Sequence, residues 1–165
     1  LLAAQPDLLF DKAEAIGSII SVDTTQQFQT IDGFGYALTG GSAMLMKTKL
    51  NAEQRSELLK ELFLIEGNGI GISYLRVSIG ASDLDELVFS YDDLPKGETD
   101  PSLNKFNLSY DTLYLIPILK EILAHNPNLK IMGSPWSPPV WIKTITYQKE
   151  EVSNLNTMMF MLITL

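Results

Sequence analysis

The fold is decided by one stretch near the end of the chain, Leu129-Lys130-Ile131-Met132-Gly133-Ser134-Pro135-Trp136-Ser137-Pro138-Pro139-Val140-Trp141. Its first four residues form an apolar run that predicts a short buried strand. Three prolines within five residues follow, and because each fixes φ and lacks an N–H, neither a strand nor a helix can continue. The sequence therefore predicts a stiff loop that holds two tryptophans directly after a strand.

Two interpretations of this loop remain open. A tryptophan offers a large flat apolar face and one polar N–H, which suits a ring-shaped polar ligand such as a sugar. The same loop could instead be a turn that fills the core with Trp136 and Trp141. Because two tryptophans lie in one proline-rich loop after a strand, we give the two interpretations about equal weight.

Composition excludes several classes of function. The 165 residues are 45% apolar and 19% charged, as in a globular domain with a substantial core. A net charge of −8 without a basic cluster argues against nucleic acid or an anionic membrane as partner. The absence of cysteine excludes disulfide and thiolate chemistry, and the single histidine, His125, excludes a histidine-rich metal site and argues against a Ser-His-Asp triad. No apolar run reaches the roughly 20 residues of a membrane span.

The hydrophobic pattern predicts strands that alternate with amphipathic helices. Short β-branched runs predict strands at residues 18–22 and 27–31, joined by a turn. Ser42 is the predicted N-cap of a short helical segment, and Asn51 caps a clear helix over 52–63 that turns Leu58, Leu59, Leu62 and Phe63 inward.

The second half of the chain continues the alternation. Residues 70–79 form the best predicted strand, buried on both faces, so Arg76 within it should form a structural ion pair or, less favoured, belong to a polar site. An acidic, turn-rich connection follows over 80–107, and its length favours a functional loop. A second helix is predicted over 111–124, with Leu115, Ile118, Leu119 and Ile122 facing inward.

Alternating strands and helices predict an α/β fold with a parallel sheet and right-handed crossovers. Three such strands are too few for a closed barrel of eight, so the pattern allows either a small open sheet or part of a barrel. In both folds, ligand groups lie on the loops after the carboxyl ends of the strands. These loops are residues 39–41, 81–83 and 134–136.

Three segments in this order, IDGFGYALTGG (31–41), LRVSIGASD (75–83) and GSPWSPPVWIKT (133–144), resemble glycoside hydrolase family 30, the glucosylceramidase and β-1,6-glucanase group. The resemblance implies the N-terminal portion of a (β/α)8 TIM barrel, with barrel strands at 33–39, 72–79 and 130–133. It implies three regions: residues 1–30 contribute a strand to an attached side β-domain, 31–144 form the first part of the barrel, and 145–165 are a tail.

Family members are retaining enzymes with two glutamates about 5–5.5 Å apart. One lies in an Asn-Glu-Pro segment after strand four and the other follows strand seven, and neither segment is present in this sequence. Glu150 and Glu151 are adjacent and match neither context, so no catalytic residue is assigned. We therefore expect a truncated glycosidase, inactive as this chain alone and needing neither metal nor cofactor. The alternative is a non-catalytic carbohydrate-binding fragment.

The resemblance implies that the matched positions contact a β-glucoside or β-glucan substrate. The candidates are Trp136, which would line the glycone pocket and donate from its indole N–H, with Ser134, Thr39, Asp83 and Trp141. Mammalian glucosylceramidases, the branch linked to sphingolipid metabolism, have an aspartate where this chain has Gly40. The Thr-Gly-Gly form looks more like a bacterial branch, for which β-1,6-glucan or a similar glucoside is favoured as the substrate. The resemblance is compatible with a secreted or periplasmic protein.

Beyond Thr144 the sequence departs from the family. Codons can be chosen for this tail so that the same bases, read one position out of frame after Thr144, encode residues typical of the family. We therefore hypothesise a frameshift. The alternative is a genuine divergent helix over 158–165.

Overall fold

The computed structural model describes residue 6 and residues 17–67 and 69–143. Its elements are β1 (Gly35–Leu38), α1 (Gly40–Lys49), α2 (Ala52–Phe63), β2 (Tyr74–Ile79), α3 (Ser109–Leu113), α4 (Leu115–His125), β3 (Lys130–Pro135) and a 3-10 turn at Val140–Ile142. The chain divides into two units, Leu1–Ile31 and Asp32–Leu165.

The three strands form one parallel sheet in the order β1-β2-β3, as the sequence predicts. Gly35 pairs with Tyr74, and Tyr74 in turn pairs with Lys130, so all three strands end at the same edge. The core lies between one face of this sheet and the helices α1, α2 and α4. Its buried residues are Leu38, Ala43, Leu59, Phe63, Leu75, Leu115, Ile118, Ile122 and Leu129.

None of the described helices covers the second face of the sheet, which corrects the expectation that β2 is buried on both faces. Side chains alternate along a strand, so Leu75 points to the helices while Arg76 points to the opposite side. Arg76 is exposed and forms none of the ion pairs found among the described residues. The prediction of a buried, structurally paired arginine is therefore wrong for this chain, because the helices cover only one face.

Helix α2 begins and ends where the sequence predicts. Asn51 accepts a hydrogen bond from the Gln54 amide at 2.9 Å, and Gln54 accepts one from the Asn51 amide at 3.1 Å. This reciprocal capping box satisfies two amides that otherwise have no partner at a helix start. Arg55 is buried although it is charged, and its Nε lies 2.6 Å from Glu121 Oε2 on α4. The ion pair explains how a charged residue can occupy the helix interface.

Helix α1 begins earlier than predicted. Its N-cap is Thr39, whose hydroxyl accepts a hydrogen bond from the Ser42 amide at 3.1 Å. Ser42 is therefore inside the helix, and Gly40 and Gly41 are its first two residues rather than a loop. The prediction of Ser42 as the N-cap is therefore wrong, because the helix begins directly after β1 ends at Leu38.

The predicted helix over 111–124 is two helices that meet at Tyr114, whose φ of −133° and ψ of −58° are not helical. Pro117 explains the interruption. A proline cannot donate to the carbonyl four residues before it and its ring collides with that carbonyl, here that of Leu113. Within the first turn of α4 the same proline is tolerated.

Residues 17–31 contain a turn at the predicted place, in which Asp23 accepts hydrogen bonds from the Thr25 amide and hydroxyl. They contain no strand, so the strands expected at 18–22 and 27–31 are not found there. Their apolar side chains are exposed, and no described residue pairs with them in a ladder. The assignment of residues 1–30 to a side β-domain stays a prediction. The tail on which the frameshift hypothesis rests, including Glu150 and Glu151, lies outside the described residues.

Candidate functional site

The loops that follow β2 and β3 are joined at the carboxyl edge of the sheet. The Trp136 amide donates to the carbonyl of Ile79 at 3.4 Å, and the Ala81 amide donates to the carbonyl of Phe89 at 3.0 Å. Gly80 adopts a φ of +78° between these contacts, a conformation that glycine tolerates better than other residues. The first residues after the two strands are thereby fixed side by side.

An open cavity of about 600 Å³ lies between these two loops. The indole of Trp136 forms one wall and is 41% exposed, although it is a large apolar side chain. The other lining residues are Ala81, Ser82, Asp83, Asp85, Val88, Phe89, Ser90, Ser137 and Pro138. An exposed aromatic face beside carboxylates and hydroxyls is the arrangement that a sugar ring requires.

The structure brings together two of the five predicted contact residues, Trp136 and Asp83, in this cavity. Thr39 is buried, and its hydroxyl caps α1 and donates to Ser42 Oγ at 3.0 Å. Ser134 is half-buried in β3 opposite Ser78. Neither Thr39 nor Ser134 is among the residues that line the cavity.

Trp141 also lies outside the cavity lining, and its indole N–H is already bonded. It donates to the main-chain oxygen of Asp92 at 3.0 Å, which ties the loop after β3 to the long loop after β2. Nearby, Lys143 donates to Ser137 Oγ at 2.6 Å. The sugar-contacting role of Trp141 stays a prediction. In the structure its N–H forms a hydrogen bond that joins two loops.

Asp85 is the cavity residue that sequence reasoning missed. Its Oδ2 accepts hydrogen bonds from both the amide and the hydroxyl of Ser82, each at 2.7 Å. Its Oδ1 lies so close to Gly40 that a Cβ added there would be 1.8 Å from it. The signal in the sequence was the Ser-x-x-Asp spacing, in which a side chain bonds the backbone three residues away. The Gly40-Gly41 pair alone does not reveal what approaches it.

The long loop that carries Asp85 has a small core of its own. Ala81, Phe89 and Tyr91 are buried together. The Tyr91 hydroxyl donates a hydrogen bond to the buried Asp111 carboxylate. Burial raises the pKa of Tyr91, and the bond to Asp111 raises it further. Burial also raises the pKa of Asp111. The hydrogen bond between the two side chains joins this loop to α3.

Asp92 is nearly fully buried, at 1% exposure, and its carboxylate accepts no hydrogen bond from the described residues. Burial raises its pKa, and the neighbouring charge of Asp100 adds to the effect.

The described residues offer no group of three or more His, Cys, Asp or Glu side chains that could hold a metal ion. Within the same part of the chain, no helix is both long and apolar enough to cross a membrane. The cavity lining contains no glutamate. The cavity offers an aromatic face and carboxylate oxygens that can accept hydrogen bonds.

Comparison with known proteins gives a consistent picture. The family model for the glycosyl hydrolase family 30 TIM-barrel domain matches residues 31–157. The chain is 39% identical over 127 residues to an endo-1,6-β-D-glucanase of Aspergillus fumigatus, covering 75% of this chain and 25% of that protein. It is 30% identical over 130 residues to the lysosomal acid glucosylceramidase of Mus musculus, covering 78% and 24%.

A solved structure of an endo-β1,6-glucanase matches with a TM-score of 0.64 and 38% identity, over 73% of this chain and 25% of that one. The chain spans about a quarter of the length of each of these relatives.

Proposed function

Because the chain belongs to glycosyl hydrolase family 30, and its parallel sheet is part of the barrel of that family, we propose that it supplies one side of a β-glucoside site. In this proposal the chain binds the sugar, and the whole protein hydrolyses a β-glucosidic bond. The observation that carries it is the position of Trp136. Its indole stands half-exposed at the carboxyl end of β3, where ligands bind in barrels of this kind.

The proposed mechanism is retaining, with one glutamate as acid/base and another as nucleophile. Both glutamates would belong to barrel strands outside these 165 residues, so we expect no hydrolysis by the 165-residue chain on its own. In support, none of the described cavity residues is a glutamate. The role left to Trp136 and its neighbours is to orient the sugar ring so that the missing groups meet the scissile bond.

The proposed substrate is a β-1,6-linked glucan rather than glucosylceramide. Identity to the relatives named as endo-1,6-β-glucanases is 38–39%, against 30% for the mouse glucosylceramidase. Gly40 supports the same choice through the resemblance, which implies an aspartate at this sequence position in mammalian glucosylceramidases.

The test is calorimetric titration of the 165-residue chain with a β-1,6-linked glucose trisaccharide, alongside an assay for released reducing sugar. We expect saturable binding that Trp136→Ala abolishes, and no hydrolysis. Phe28→Ala serves as a matched control, because Phe28 is an exposed aromatic residue of the other unit of the chain. Binding that is equally strong in the Trp136→Ala variant would refute the proposal.

A second candidate, a fragment that binds carbohydrate without ever taking part in hydrolysis, is favoured by the same exposed indole. Joining the chain to the remaining barrel of a family member separates the two. Hydrolysis by the hybrid that is lost with Trp136→Ala supports the enzyme, whereas binding without hydrolysis supports the second candidate.

A further inference from the structure

We propose that Asp85 is a specificity-determining residue, whose free carboxylate oxygen accepts a hydrogen bond from a hydroxyl of the glucosyl unit bound beside Trp136. The inference rests on the proposed function, because it assumes that the cavity holds a sugar. It adds a second contact of defined chemistry in the cavity that Trp136 lines. Asp85 belongs to none of the three segments that carry the family resemblance.

The two oxygens of Asp85 have different surroundings. Oδ2 accepts two hydrogen bonds of 2.7 Å from Ser82, which fixes the side chain in one orientation. Oδ1 accepts no hydrogen bond from any described residue and lies beside Gly40, while Asp85 is half-buried and lines both the Trp136 cavity and an adjacent one that Gly40 lines. A carboxylate oxygen can accept two hydrogen bonds, and one held in place at a cavity wall is prepared to accept a sugar hydroxyl without loss of side-chain freedom.

Two glycines make this position available. A Cβ on Gly40 would lie 1.8 Å from Asp85 Oδ1, and a Cβ on Gly41 would lie 2.0 Å from the carbonyl oxygen of Leu84. Both distances are far below any van der Waals contact, so the loop after β2 can approach the start of α1 only because side chains are absent there. The carboxylate of Asp85, on the loop after β2, therefore occupies the space beside Gly40 where a side chain would otherwise lie.

The chemistry of the wall favours a hydroxyl over a cation as the partner of Oδ1. A divalent cation needs several oxygen ligands, and the described residues provide no group of three acidic or histidine side chains around it. A sugar hydroxyl needs one strong acceptor beside an apolar face, and Asp85 and Trp136 line the same cavity. Charge-assisted hydrogen bonds of this kind are stronger than neutral ones, so a single carboxylate can discriminate between sugars.

The test compares binding of a β-1,6-linked glucose disaccharide by the unaltered chain and three variants. Asp85→Asn keeps an acceptor for Ser82 but replaces the free oxygen by an NH₂ donor. Gly40→Ala leaves Asp85 intact and forces its carboxylate out of position, while alanine is tolerated inside a helix. Glu86→Gln is the control, since it changes the same charge at an exposed neighbour. Melting temperatures are recorded for each variant.

We expect Asp85→Asn and Gly40→Ala each to weaken binding about tenfold, with Glu86→Gln unchanged. Wild-type affinity in both Asp85→Asn and Gly40→Ala would overturn the inference. A lower melting temperature with unchanged affinity of the folded protein would also overturn it, because Asp85 would then only hold the loop against α1. Failure of the proposed function looks different, since the unaltered chain itself would then not bind, or Trp136→Ala would bind normally.

Discussion

The indole nitrogen of Trp141 lies 3.0 Å from the main-chain oxygen of Asp92, to which it donates a hydrogen bond. This bond joins the loop after β3 to the long loop after β2, and the second of these loops carries Asp83 and Asp85. We therefore expect the shape of the cavity to depend on a tryptophan that does not line it.

We predict that Trp141→Phe lowers the free energy of unfolding by about 1 kcal/mol. Phenylalanine retains most of the aromatic packing but cannot donate a hydrogen bond, so the Asp92 carbonyl loses its partner. Urea denaturation followed by circular dichroism measures the change. An unchanged midpoint in the Trp141→Phe variant would mean that the bond contributes nothing to joining the loops.

The pair formed by Tyr91 and Asp111 predicts a loss of stability at high pH. Burial and the bond to Asp111 raise the pKa of Tyr91 above its ordinary value of 10.0. A raised pKa means that the stabilisation is complete below pH 10 and is lost as the pH rises beyond it. The free energy of unfolding should therefore fall steadily above pH 10.

Tyr91→Phe tests this directly. It leaves the buried Asp111 carboxylate without its donor, so we expect a loss of about 1–3 kcal/mol at pH 8 and a smaller further loss at alkaline pH. Tyr110→Phe is the matched control, because the Tyr110 ring stacks on Phe89 at 4.5 Å and phenylalanine can do the same. If both variants show the alkaline behaviour of the unaltered chain, Tyr91 is not the responsible group.

The ion pair between Arg55 and Glu121 predicts the opposite dependence, at low pH. The hydrogen bond from Arg55 holds the pKa of Glu121 below its ordinary value of 4.5, and Lys47 contributes in the same direction. A lowered pKa means that the stabilisation is present above pH 4.5 and is lost as the pH falls through the lower value. Denaturation midpoints measured from pH 7 to pH 3 should decrease.

Glu121→Gln should reduce stability at pH 7 by about 1 kcal/mol and flatten the decrease below pH 4.5, because the titrating group is gone. Glu61→Gln changes the same charge at an exposed position of α2 and should keep the decrease. An equal slope in the Glu121→Gln variant would exclude this ion pair as the source of the acid sensitivity.

The elements that local chemistry specifies were predictable. Asn51 and Gln54 form the capping box at the start of α2, and the parallel sheet follows from alternating patterns with long connections. The strand before Trp136 begins at the predicted apolar run, but it continues through Pro135, and its residues 130–133 are exposed rather than buried.

What depends on contacts between distant residues was not predictable. Arg55 has a polar sequence context, and only the approach of Glu121 on α4 makes its burial possible. Arg76 lies in an apolar run, yet none of the described helices covers its face of the sheet. Asp85 was missed because its role depends on Gly40, which lies forty-five positions earlier and touches it only in the folded chain.

The most direct test of the central claim uses the indole N–H signals of the two tryptophans in a ¹H–¹⁵N correlation spectrum, assigned with the Trp141→Phe variant. Trp136 lines the cavity and is 41% exposed, whereas the N–H of Trp141 is bonded to Asp92. Titration with a β-1,6-linked glucose disaccharide should shift the Trp136 signal in a saturable manner. A Trp136 signal that stays in place up to high sugar concentration would contradict the claim that this chain forms one side of a sugar site.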